Sequence, residues 1–315
     1  MNETDTLFPG DRVLLFEKLP YDYEGGLPLQ VFPGLTLATT PIALLEKASD
    51  DHLVCFLLPS YNLTHTVNHC CLVSSVIPTA QNRDDLLFTY LAALRLIAPG
   101  YIAVSGGFQF AHGDNAIVNP TLYHTRTAWH PRLEYFYSAA EFYSAGRLLP
   151  FIVDWLDGPL TRLKYAYVLF SQVTNGFAMS YQMSMLGLYG ALEAIFAPHV
   201  GNYAKLLGKR VQSFLQNVPT DVPIGEWLAS HYEKERHALS HGHWQFSPDP
   251  DHRQERNADF GRLHEIVRLC LLGLLSAEKT SLQFYAQRKK TLQSALDRLL
   301  PARGTFIEGQ RMWLA

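Results

Sequence analysis

Cysteine is scarce in this chain, charge of either sign is thin, and no apolar run is long. The four cysteines (Cys55, Cys70, Cys71 and Cys270) include no Cys-x-x-Cys spacing, and the adjacent pair would point apart in a strand. Neither a disulfide scaffold nor a cysteine-rich zinc module is expected, and this usage suits a reduced, cytoplasmic compartment. The greasiest window, residues 269–276, is short and closely flanked by Arg268, Glu278 and Lys279, so no membrane-spanning helix is expected. The opening MNETDTLFPGDRV lacks the basic run and apolar stretch of a secretory leader. A net charge of -3 removes general electrostatic attraction to nucleic acid, so any RNA contact has to be local. No repeat, low-complexity tract or sustained heptad pattern is present.

What the chain does have is apolar mass: 48% hydrophobic residues over 315 positions, enough for two ordinary cores. Up to about residue 135, short apolar runs such as LPLQVFPGLTLATTPIALL, LVCFLLPSY and CCLVSSVIP alternate with Pro and Gly, the pattern of strands separated by turns. One helix interrupts them. It starts near Asn82 and Asp84, carries Leu86, Leu87, Tyr90, Leu91, Leu94 and Ile97 at helical spacing, and stops at Pro99-Gly100. Ser105-Gly106-Gly107 reads as a generic turn, and the polar, His-rich stretch after it as a loop or ragged hairpin. An α+β N-terminal domain over 1–150 is therefore expected.

From about Ser138 the period becomes helical. Between 162 and 196 a broad stripe holds Leu163, Ala166, Tyr167, Phe170, Phe177, Tyr181, Met185, Leu188, Leu192 and Phe196, broken only at Asn175-Gly176. It predicts one kinked helix or two in succession. Further helices are expected at about 203–216, 224–241, 259–276 and 281–299, making residues 151–315 an all-α bundle.

The polar chemistry of this half gathers in HYEKERHALSHGHW, which contains Arg236, His237, Ser240, His241 and His243. Arg236 and His241 are five apart and would lie about 140° from each other on an ideal helix. Gly242 is a helix stop signal, and a fraying end lets His241 swing toward Arg236. An imidazole can move a proton from a ribose 2′-hydroxyl or to a leaving 5′-oxygen near neutral pH, and a guanidinium can hold a phosphate bidentately. The pair suits phosphodiester cleavage without a metal. Two other readings stay open: a solvated helix end, where both groups meet the helix dipole for about 0.3–1 kcal/mol, and a His237–His241–His243 zinc site, which no nearby Cys or suitably spaced carboxylate completes. His65 and His69 share the four-residue spacing but would lie about 13 Å apart in a strand. The run from Gly201 to Arg210 has six residues between its glycines and no Ser or Thr after Lys209, so it is not a phosphate loop. No cofactor is expected. Arg288, Lys289, Lys290, Arg298, Arg303 and Arg311 make the C-terminus locally basic, most simply a solvated helix face.

The run Arg236-His237-Ala238-Leu239-Ser240-His241 resembles the HEPN signature, an Arg and a His separated by four to six residues with a polar residue directly after the Arg. LYGALEAIFAP at 188–198 and NYAKLLGKRVQSFL at 202–215 are similar to the corresponding stretches of Apea-like HEPN domains, in the same order. The likeness spans roughly residues 160–300 and leaves the front half unmatched. It implies a metal-independent ribonuclease acting as a homodimer through the helical domain, with two Arg-His pairs meeting across a cleft and a cyclic phosphate as product. Arg236 carries over as phosphate binder and His241 as acid or base, with His237, Ser240 and Glu193 binding substrate or supporting the pair. RNA is the implied partner and a bacterial toxin or phage-defence system the implied setting. The front domain is left to recognise a ligand, a target or a cognate antitoxin. The alternative is a non-catalytic HEPN-fold protein that binds nucleotide or RNA, or serves as a dimerisation scaffold.

Overall fold

The computed structural model describes residues 11–18, 26–39, 70–75, 83–98, 102–110, 117–122, 137–157, 161–174, 180–196, 203–216, 222–241 and 249–275. The runs expected at 53–61 and 281–299, His65, His69, Phe177, Gly242, His243 and the basic C-terminus lie outside the described residues. The described chain is mostly helical, with a small antiparallel sheet toward the N-terminus. It divides into two units within a single helix, between Leu149 and Pro150.

The first unit holds β1 (Arg12–Lys18), β2 (Leu29–Phe32), β3 (Leu35–Thr39), β4 (Cys70–Ser74), α1 (Arg83–Ile97), β5 (Ala103–Phe110), β6 (Ile117–Leu122) and the start of α2 (Ala139–Asp157). The strands form one sheet in the order β2-β3-β4-β1-β5-β6, each neighbouring pair antiparallel. Val13, Leu14, Leu15 and Phe16 of central β1 are consecutive and all buried, so both faces of the strand are covered. Pro33-Gly34 turns β2 into β3, with Gly34 at φ 75°, the backbone that this turn demands of its second residue.

Ser105-Gly106-Gly107 is not a turn. It lies inside β5, where Gly106 and Gly107 pair with Leu15 and Leu14 and the register slips just beyond Leu15. Glycines opposite two large leucines, next to a bulge, mark a strand that bends.

Ser138 and Glu141 start α2 with one arm of a capping box: Glu141 Oε2 accepts from the Ser138 backbone N–H at 2.6 Å, and from its hydroxyl at 3.1 Å. Gly146 of this helix passes so near β2 that a Cβ would sit 1.9 Å from the Val31 carbonyl oxygen. Tyr90 of α1 donates to the Phe142 carbonyl at 3.0 Å, and Tyr137 to that of Ala98 at 3.0 Å.

The second unit runs from Pro150 of α2 through α3 (Thr161–Thr174), α4 (Tyr181–Phe196), α5 (Tyr203–Phe214), α6 (Ile224–His231), a π-helical turn (Tyr232–Arg236), the short α7 (His237–Ser240) and α8 (Pro250–Leu275). The stripe read from 162–196 is two helices, α3 and α4. Its described members, from Leu163 to Phe196, are all buried. α8 begins nine residues before the expected 259. Asp249 caps it by accepting from the Asp251 N–H at 3.1 Å, and Pro250 fills the first helical position, where no N–H is needed.

α5 and α6 cross at a pair of glycines. A Cβ on Gly208 would lie 2.2 Å from the Gly225 carbonyl oxygen, and Gln212 of α5 accepts from the Gly225 N–H at 2.8 Å, supplying the cap that Pro223 cannot. Gly208→Ala forces these backbones apart and costs about 1–3 kcal/mol or more in urea unfolding. A variant of wild-type stability would show that the helices cross more loosely than this.

Candidate functional site

Glu193, three residues before the end of α4, gathers the candidate residues. Its Oε1 accepts from the Tyr232 hydroxyl at 2.8 Å and from Arg236 Nε at 3.1 Å. Tyr232 and Arg236 bracket the π-helical turn and both reach the same oxygen. Helical turns of this kind are rare and are found frequently at functional sites. The Arg236 guanidinium also lies over the Tyr232 ring, 5.7 Å from its centre. Held through Nε, it makes no hydrogen bond from Nη1 or Nη2 among the described residues.

An open pocket of about 320 Å³ lies here, lined by Tyr203, Ala204, Tyr232, Glu233, Arg236 and His237. Tyr203, the first residue of α5, stacks on Tyr232 with ring centres 5.6 Å apart and planes 29° from parallel. Behind them, the buried Tyr189 meets Tyr232 edge-on at 5.3 Å. Burial, followed by the hydrogen bond to Glu193, holds the Tyr232 phenol well above its usual range. Burial, followed by the charge of Glu193, raises Tyr203. Both rings stay protonated at neutral pH, and Tyr232 stays a donor to Glu193.

His237 therefore shares the pocket wall with Arg236, while His241 is not part of that lining. The two imidazoles, one helical turn apart, touch with ring centres 4.3 Å apart, and the His241 N–H donates to the His237 carbonyl at 3.1 Å. Ser240 turns its hydroxyl back to that same carbonyl at 3.1 Å. The structure thus joins Arg236 to Glu193 directly and sets His241 against the pocket-lining His237. The sequence reading treated 224–241 as one regular helix; the π-helical turn divides it.

A second polar cluster escaped the sequence reading. His231 is 8% exposed; its Nδ1 is hydrogen-bonded to the Tyr189 hydroxyl, and its Nε2 lies 3.3 Å from Asp259 Oδ2 without the geometry of a hydrogen bond. Trp227 stacks on its ring at 4.6 Å. Tyr189 stands four residues before Glu193, on the same face of α4, and that spacing was the available signal. Nothing local in the sequence pairs either residue with 231 or 232.

Among the described residues no three His, Cys, Asp or Glu side chains gather as a metal ion would need, and no helix is long and apolar enough to cross a membrane. Of the stretch 201–210, weighed as a phosphate loop, residues 203–210 lie within α5, and Arg210 donates to the last carbonyl of α4 at 2.8 Å. Compared with known families, curated proteins and solved structures, the chain matches no family model, no curated protein and no solved structure.

Proposed function

We propose that this chain is a metal-independent endoribonuclease of the HEPN type, with Arg236 binding the scissile phosphate and the His237–His241 pair moving protons. The observation that carries the reading is the Glu193-held guanidinium, whose Nη groups make no hydrogen bond among the described residues, beside an imidazole in the same pocket. A guanidinium positioned in this way can clamp two phosphate oxygens as charge grows on them. One imidazole takes the proton of the ribose 2′-hydroxyl as its oxygen attacks phosphorus. The bond from phosphorus to the 5′-oxygen breaks, and that oxygen takes a proton from an imidazolium. The products are a 2′,3′-cyclic phosphate and a 5′-hydroxyl.

His241 is the acid or base that the motif resemblance assigns, and His237 is the imidazole lining the pocket. The reading includes a homodimer through the helical domain, in which a second Arg236–His241 pair completes the cleft. It also includes an action in toxin or phage-defence biology and a front unit that recognises a ligand or a cognate antitoxin.

The same network supports a second reading, a binding module or dimerisation scaffold that cuts nothing. Glu193 neutralises much of the charge of Arg236, and a binding site tolerates that better than a catalytic one. The test is RNA cleavage by the purified protein in excess EDTA, with analysis of product ends. Cleavage that survives chelation and leaves cyclic phosphates is the expected result. Loss in EDTA with recovery on adding zinc would overturn the metal-free mechanism, and absence of cleavage under all conditions would favour the binding module.

A further inference from the structure

We infer that the Arg236 pocket takes a single nucleotide, base and phosphate together, with Tyr203 as the platform on which the base stacks. This rests on reading Arg236 as a phosphate site and adds the part of the ligand which that reading leaves open.

Size is the first argument. At about 320 Å³ the pocket lies at the low end for small-molecule sites, which suits one nucleotide and not a run of them. The chemistry of its walls is the second. A bare phosphate needs donors only, yet two of the six lining side chains are phenol rings. Tyr232 is fully engaged: its edge contact is Tyr189, its stacking partner is Tyr203, its hydroxyl is on Glu193 and the Arg236 guanidinium lies over its ring. Tyr203 has Tyr232 as its one ring partner among the described residues, is only partly buried, and lines the pocket. A braced, partly exposed ring close to a guanidinium can bind a base and its phosphate at once, since every base has a face to stack.

Glu233 supplies the third argument. Its carboxylate in the lining disfavours a second phosphate and can accept from the N–H edge of a base. A base can reach Tyr203 only when it is out of a duplex stack, so the ligand is an unpaired nucleotide.

The experiment is calorimetric titration of the full chain with adenosine 5′-monophosphate, ribose 5-phosphate and inorganic phosphate. The nucleotide binds about 10- to 100-fold more tightly than ribose 5-phosphate, the difference that one stacked base makes. Tyr203→Leu removes that difference, Tyr203→Trp keeps it, and Arg236→Gln weakens all three ligands. Equal affinity of the wild-type protein for nucleotide and ribose 5-phosphate overturns the inference without any variant, as does a Tyr203→Leu protein that still prefers the nucleotide. The outcome is separable from the ribonuclease reading: nucleotide preference without RNA cleavage keeps the platform and sinks the enzyme, and cleavage without nucleotide preference does the reverse.

Discussion

On the ribonuclease reading, Arg236→Ala and His241→Ala are each expected to lower the rate of RNA cleavage by about 10²–10⁴, with melting temperatures close to wild type. The two halves of this expectation come from different facts. The rate falls because an imidazole that carries the proton, or a guanidinium that meets charge developing on phosphate, acts mainly in the transition state. Stability holds because neither residue is in the core: His241 is exposed, and the Arg236–Glu193 pair, at 34% and 22% side-chain exposure, is of the partly solvated kind that contributes about 0–1 kcal/mol. Arg236→Lys is also poor, since one ammonium cannot hold Glu193 and a phosphate in the geometry of a planar fork. The double variant is little worse than either single one, as befits groups that act as a unit. Comparing His237→Ala with His241→Ala then shows which imidazole carries the larger share. Wild-type rates in Arg236→Ala and His241→Ala, with unchanged melting, would identify a binding module.

The largest stability effect is expected at Arg268. This residue is fully buried in α8 and forms a two-pronged pair with Glu265 one turn earlier, Nε to Oε2 at 2.7 Å and Nη2 to Oε1 at 2.5 Å. Arg268→Met fills much of the same volume but leaves a buried carboxylate without its cation, a loss of about 3–5 kcal/mol. The melting temperature of the unit falls by roughly 10 °C. Replacing both partners, as Arg268→Met with Glu265→Leu, recovers most of the loss, because desolvating the pair offsets much of its attraction. If the single variant melts within 2–3 °C of wild type, roughly a 1 kcal/mol effect, the pair is solvated or re-partnered and the argument fails.

Arg268 was visible in the sequence only as a charge that shortened an apolar window, and the contrast shows what a linear reading can carry. Spacing at three and four residues found α1 and the buried stripe of α3 and α4, because a helix facing a core records its buried side locally. Prolines misled at α8: the Pro248–Pro250 stretch read as a connector, although a proline at the first helical position after a capping Asp starts a helix. Gly106 and Gly107 misled in the same way, since a bend inside a paired strand uses the residue that a turn uses. For the candidate site, Arg236, His237, His241 and Glu193 were named from the sequence. The bond from Glu193 to Arg236 spans 43 residues, and no local pattern encodes it. Tyr203 passed as the first residue of one expected helix and Tyr232 as a position within another, because a ring that lines a pocket and a ring that fills a core look alike until their neighbours are known.

The π-helical turn bears on how such a signature should be compared between chains. A helix that takes in one extra residue without breaking keeps its axis but changes its phase: every later side chain points about 100° away from where its position number would put it, one residue's worth of rotation. Here the change falls between Tyr232 and Arg236, upstream of both histidines. Two chains with identical Arg-to-His intervals can thus aim the whole Arg-His set at different neighbours, because an extra residue upstream of the set turns it as one. The direction is stored in backbone winding, where a count of intervening residues does not register it.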